Sequence, residues 1–319
     1  MTDFTPPSAN PDRAVLEQLA FASLKEQRAA RRWGVFFKLC TLIIVVGLLM
    51  YLFGVGQKVE PTAEHTALIS IEGDIDAGGS NSADKVMAAL NNAFEADKAK
   101  AVVLRINSPG GSPVQAAMIV AEIKRLRELH PDKPVYAVAE DLCASAAYYI
   151  AASADDIYVN GSSVVGSIGV IMSGFGANEL IQKLGIERRV YTAGKNKDIL
   201  DPFKPVDDAQ RAHIQTMLDD VHAQFIASVK EGRGERLKET PDMFSGLFWT
   251  GRRAIELGLA DNVGTVDSVA RDIVKAEDVV DYTMVDSALD RINKRLGGQV
   301  GTAIGHVLMT GGSNVGSLR

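Results

Sequence analysis

Residues 39–56, LCTLIIVVGLLMYLFGVG, carry no charged side chain in a chain of 319 residues. With VFFK just ahead, the apolar run is about 20 residues, or roughly 30 Å as a helix, enough to cross a bilayer. Arg28, Arg31, Arg32 and Lys38 stand on its N-terminal side, whereas only Lys58 lies close on the other. The basic flank stays in the cytoplasm, so the chain from residue 57 onward is expected outside it. A cleaved signal peptide is the rival reading, with Gly54 and Gly56 as small residues at −3 and −1. Its basic region would be unusually long and its apolar run longer than the ordinary 7 to 15 or so residues, which favours a retained anchor. Residues 12–32, ahead of the run, read as a short charged helix, and residues 57–66, with Pro61, as a linker.

The remainder is long enough for one domain of roughly 200 to 250 residues. A net charge of −6 and the lack of a long basic run argue against nucleic acid as the main partner. Cys40 and Cys143 imply no disulfide framework. His65, His130, His213, His222 and His306 are scattered without metal-ligand spacing, so neither a metal nor a cofactor is expected.

From residue 67 the pattern alternates. ALISIEGDI reads as a strand, SADKVMAALNNAFEAD as an amphipathic helix, and KAVVLRINS as a continuous apolar strand of the kind covered on both faces. PVQAAMIVAEIKRLREL, KPVYAVAED, AAYYIAASA and DDIYVN continue as helix, strand, helix, strand. NELIQKLGI is read as a helix, ERRVYTAGK as a strand and residues 207–234 as a long helix, before FWTGRRAIELGLAD and a last strand-helix unit, NVGTVDSVARDIVKA. Such alternation means an α/β domain with crossover helices.

Chemistry in open α/β sheets collects where strands end and helices begin. NSPGGSP, residues 107–113, turns sharply there, and Gly110 and Gly111 can bare backbone N–H groups, although such a pair is often only a turn. Ser145, in CASAAYYIA, opens a helix among small residues; it is either an N-cap or a nucleophile with the Ala146 N–H as an oxyanion donor. TAGKNKD offers Lys195 and Lys197, which are solvated charges unless burial keeps one neutral and able to act as a base. Ser-Lys pairs do replace the Ser-His-Asp arrangement. Ser167, in SSVVGSIGVIM, is either a loop serine or a partner that orients a lysine amine.

The series NSPGGS, CASAAYYIA, GSIGV, TAGKNKD and WTGRRAIELGLAD, over roughly residues 65–275, resembles the signal peptide peptidase A (SppA) family of serine proteases, in its short single-domain branch. The resemblance implies an α/β Clp protease/crotonase-like fold of repeated β-β-α units, preceded by one transmembrane helix. It implies Ser145 as nucleophile, Lys197 rather than Lys195 as general base, Ser167 as the residue orienting Lys197, and the Gly111 and Ala146 N–H groups as the oxyanion hole. It also implies hydrophobic peptide substrates, namely remnant signal peptides, a homo-oligomeric ring in which a serine and a lysine of one site can come from neighbouring chains, and residence in a bacterial plasma (inner) membrane. The expected divisions are a cytoplasmic segment 1–34, a transmembrane helix 35–56, the linker 57–66, a protease domain 67–282 and a tail 283–319. Cys143, two positions before Ser145, departs from the family pattern; it is a candidate for thiol sensitivity and is not read as catalytic. Rival readings are a crotonase-type acyl-CoA enzyme, a related protease cutting other membrane proteins, and a catalytically inactive membrane scaffold.

Overall fold

The computed structural model describes residues 11–52 and 62–285, in two units. Residues 1–10, the end of the apolar run, the first half of the expected linker (57–61) and the tail from 286 onward lie outside the described residues, and the last two linker residues, His65 and Thr66, already belong to the first strand.

The first unit contains α1 (Pro11–Leu52), one uninterrupted helix through the boundary expected at residues 34 and 35. Proline is tolerated at its first position, and no second proline breaks it. Its stretch Phe21–Leu49 has a mean hydropathy of 1.9 and is long and apolar enough to cross a membrane by length and composition. Trp33 packs against Phe36 and Phe37, each at 5.7 Å between ring centroids.

The second unit is an eight-stranded mixed sheet with helices. Its elements are β1 (His65–Glu72), α2 (Ala83–Glu95), β2 (Ala99–Ser108), α3 (Pro113–Leu129), β3 (Val135–Ala144), α4 (Ala146–Ala151), β4 (Asp156–Val159) and β5 (Val164–Gly166). There follow α5 (Asn178–Lys183), α6 (Asp208–Arg233), β6 (Phe248–Thr250), α7 (Gly251–Glu256), β7 (Asn262–Val263), α8 (Val266–Ser268), a π-helical turn (Val269–Val274) and β8 (Val279–Asp281). The strand path is β6-β5-β3-β2-β1-β8, with β4 joining β3 to β7, and only β5 with β6 is antiparallel. This is the α/β class the alternation implies, and it agrees with the Clp protease/crotonase-like expectation.

Alternate residues explain the layers. Ile69, Ile71, Val102, Leu104, Ile106 and Ala137 belong to the main core, together with Val86, Leu90 and Phe94 of α2 and Ile119 and Ile123 of α3. Leu68, Val103 and Val138 point to the other face and meet Tyr158 and Val269 in a second cluster. Burial on both faces is what makes β2 read as an unbroken apolar run.

The feature that positions the site is a fork at β3. Its first half, Tyr136–Ala139, pairs with β4, whereas its last three residues, Leu142–Ala144, pair with β5. Buried Ser163 pins the fork by donating to the carbonyls of Ala139 and Glu140 and accepting from Asn160 N–H.

A buried ion pair fixes the C-terminal end of α6. Arg233 is 1% exposed; it gives two N–H bonds to the Asp261 carboxylate at 2.7 and 2.8 Å and a third to Gly258 O at 2.9 Å. Desolvation pushes the Asp261 carboxyl up, but bonds from Arg233 and the Ile157 N–H, with the charges of Arg233 and Arg236, hold it below the usual range. A depressed carboxyl stabilises the fold above its unfolded value and loses that contribution as pH falls through the folded one. Asp261→Asn leaves the guanidinium uncompensated and is expected to cost about 3–5 kcal/mol. Urea unfolding at neutral pH checks this, and the gap between variant and wild type should narrow below about pH 4.

One expected strand is absent. ERRVYTAGK, residues 187–195, forms no strand and is exposed throughout; among the described residues it pairs with no strand of the sheet. β5 and β8, only three residues each, were too short to read from period.

Candidate active site

Two tight turns meet beside the fork. After β2, Gly110 has φ 104° and Gly111 φ 146°. A side chain at 110 would lie 2.8 Å from Ala144 O, Ala146 N and Ser145 Cβ, so only glycine lets the two turns touch. The Ile75 N–H donates to Gly110 O at 2.9 Å, and Ile75 O accepts from Ser112 N–H at 2.8 Å. These bonds bracket Gly111, whose own N–H therefore faces away from Ile75.

After β3, Ser145 has φ 54° and ψ −125°, a costly conformation for a residue with a side chain. Its N–H donates to Gly166 O at 2.8 Å. Its hydroxyl makes no capping bond to α4, although the residue stands at the N-cap position. The N-cap alternative therefore has no hydrogen bond behind it.

Ser145, Ala146 and Gly111 share a pocket of about 480 Å³. Its walls are Val114, Met118 and Ala121 of α3, Tyr149 of α4, the strip Gly169–Ile171 and Val221, Gln224 and Phe225 of α6. Tyr149 and Phe225 stack with ring centroids 5.0 Å apart. No lining residue carries a carboxylate, an ammonium, a guanidinium or an imidazole. The pocket thus offers a hydroxyl, N–H donors and apolar walls, and it lacks a base of its own.

Ser167 begins beside this pocket. Ala144 and Gly166 are register partners, so Ser145 and Ser167 leave adjacent strands together. Ser167 too has a positive φ, 50°, and its N–H donates to Leu247 O at 2.8 Å. Lys197 is not brought in. It is exposed, its N–H bonds to Gly194 O within its own turn, and it does not line the Ser145 pocket. Lys195 lines a separate cavity with Asp198 and Lys204. Cys143 is fully buried, and burial pushes its thiol well up, which shields it from solvent.

Val114, Met118, Tyr149 and Phe225 were not read as site residues. A faint signal existed, since Val114 and Met118 are one helical turn apart, apolar, and 66% and 40% exposed. Among the described residues, no group of three His, Cys, Asp or Glu could hold a metal ion.

Residues 127–280 match the model of Peptidase family S49, a span that includes Ser145, Ser167 and Lys197. A protein of Methanocaldococcus jannaschii provisionally named a protease is 32% identical over 225 residues, covering 69% of this chain and 71% of its own. The chain belongs to the SppA family, peptidase family S49. A protein of Enterococcus faecium provisionally named signal peptide peptidase SppA is 31% identical over 194 residues, 60% of this chain and 56% of that one. A protein of Brucella abortus named Na(+)/H(+) antiporter NhaA is 44% identical over 209 residues, 64% of this chain but only 28% of its own length. The S49 match covers much of the second unit, from the end of α3 to β8.

Proposed function

We propose that this protein is a membrane-anchored serine endopeptidase that degrades remnant signal peptides, with Ser145 of one copy completed by Lys197 of the next. One observation carries the reading. The Ser145 pocket has no base, while Lys197 stands exposed on residues 172–206, a stretch with Phe175, Leu184, Tyr191 and Val206 each more than 60% exposed. A lysine in water is protonated, and burial is what frees its lone pair. Exposed apolar side chains in such number mark a contact surface, and a second copy of this chain is the occupant that would also supply the missing base. A second copy covering this arm would exclude water from Lys197 and present it to the adjoining pocket.

In that assembly Lys197 takes the Ser145 proton as Oγ attacks a peptide carbonyl. Gly111 and Ala146 N–H groups receive the oxyanion, each contributing about 3 kcal/mol. Ser167 orients the amine. The lysine then passes its proton to the departing amine, and water hydrolyses the acyl-enzyme, restoring both residues. An apolar pocket without charge suits the side chains of a signal-peptide core. Such peptides stay in the bilayer that α1 is long enough to enter. The basic flank of the helix supports a cytoplasmic N-terminus and an extracytoplasmic domain.

A synthetic signal peptide, incubated with the full-length protein, should be cut inside its apolar core, with an equally long charged peptide left whole. Cleavage of membrane-protein segments in preference to signal peptides would favour the second protease reading. No cleavage, with no labelling of Ser145 by a fluorophosphonate, would favour the scaffold.

A further inference from the structure

We propose that His222 is a positioning residue for substrate, holding the strip Ile168–Ile171 at the distance from α6 that lets a peptide lie beside Ser145. This rests on the peptidase reading of the pocket. After Ser167 the chain runs to Gly176 without a strand partner among the described residues. Ile168 is fully buried, and the next three residues, Gly169 to Ile171, form a wall of the pocket. Their backbone groups remain free to pair with an extended peptide, which would add itself as a strand.

A strip without ladder bonds needs anchors. On one side Gly169 is pressed against Gly246; a side chain at 169 would come within 2.9 Å of the Gly246 Cα. On the other side the half-buried His222 Nε2 lies 3.1 Å from Ile168 O. A carbonyl only accepts, so Nε2 is the donor. His222 belongs to α6, between Val221 and Gln224, which line the opposite wall. One hydrogen bond thus spans the two walls of the pocket and sets its width. His222 is not among the residues lining the Ser145 pocket, and its loss should weaken peptide binding with the chemistry left alone.

Full-length wild type, His222→Leu and His222→Gln should be compared for hydrophobic-peptide hydrolysis, for the rate of Ser145 labelling by a small fluorophosphonate, and for thermal unfolding. The glutamine amide reaches about as far as Nε2 and keeps the donor. His222→Leu is expected to raise KM on the order of three- to tenfold, the effect of one hydrogen bond, with kcat and labelling held within about twofold. His222→Gln should return KM to within about twofold of wild type. The proposal is overturned if His222→Leu leaves KM unchanged. It is equally overturned if kcat and labelling fall along with a lowered unfolding temperature, or if glutamine is as poor as leucine. A wild type that neither cuts peptide nor takes label at Ser145 overturns the peptidase reading itself; a labelled, active wild type beside an unaffected leucine variant sinks the positioning role alone.

Discussion

Ser145→Ala should lower kcat/KM on a hydrophobic peptide at least about a thousandfold, with the folded state left as stable as before. The two halves of this expectation come from the same geometry. The hydroxyl makes no capping bond to α4, so its removal takes nothing from the helix. The backbone at φ 54° is held by the Ser145 N–H bond to Gly166 and by the close approach of Gly110, both of which survive in alanine. Steady-state hydrolysis and circular dichroism, measured on the same preparation, check both halves. Activity near that of the wild type would remove Ser145 as nucleophile.

Lys197→Ala should be as inactive as Ser145→Ala, yet the two should rescue each other when co-expressed. If each site draws its serine from one copy and its lysine from the next, random mixing of equal amounts restores about a quarter of the sites. Two dead proteins would then yield a mixture with roughly a quarter of the wild-type rate, a large effect against a null background. A mixture that stays dead, with assembly shown by co-purification of two tags, would put the base within its own chain. Neither outcome depends on the stability of the variants, because Lys197 is exposed and makes only a backbone bond within its turn.

The sheet was legible because β1, β2 and β3 are eight to ten residues long, and long apolar runs bounded by turn residues leave little doubt about type. The fork was not. It depends on three-residue β5 pairing with the end of β3, and on the Ser163 hydroxyl reaching two carbonyls, neither of which leaves a period in the sequence. Within the site, Ser145, Gly111 and Ala146 were readable as turn residues at strand ends, and they line one pocket. The walls were not readable, since Tyr149 and Phe225 look like ordinary core residues until their helices are packed. Residues 187–195 misled for a related reason: Val190 and Tyr191 have strand propensity, but propensity alone makes no strand, and none of the described strands pairs with this segment.

The salt link at Arg233 has a mechanical consequence. Of α6 only Phe225, Val229 and Arg233 are buried, and His222 ties the helix to Ile168 O, so the first 13 or so residues, about 20 Å, reach past the pocket from a riveted root. The segment bearing Lys197 leads directly into the tip, where Gln210 donates to Asn196 Oδ1 at 3.3 Å. A beam clamped at one end transmits whatever displaces the other, so contact made at the tip would be felt at Phe225 and His222, where the beam passes the pocket.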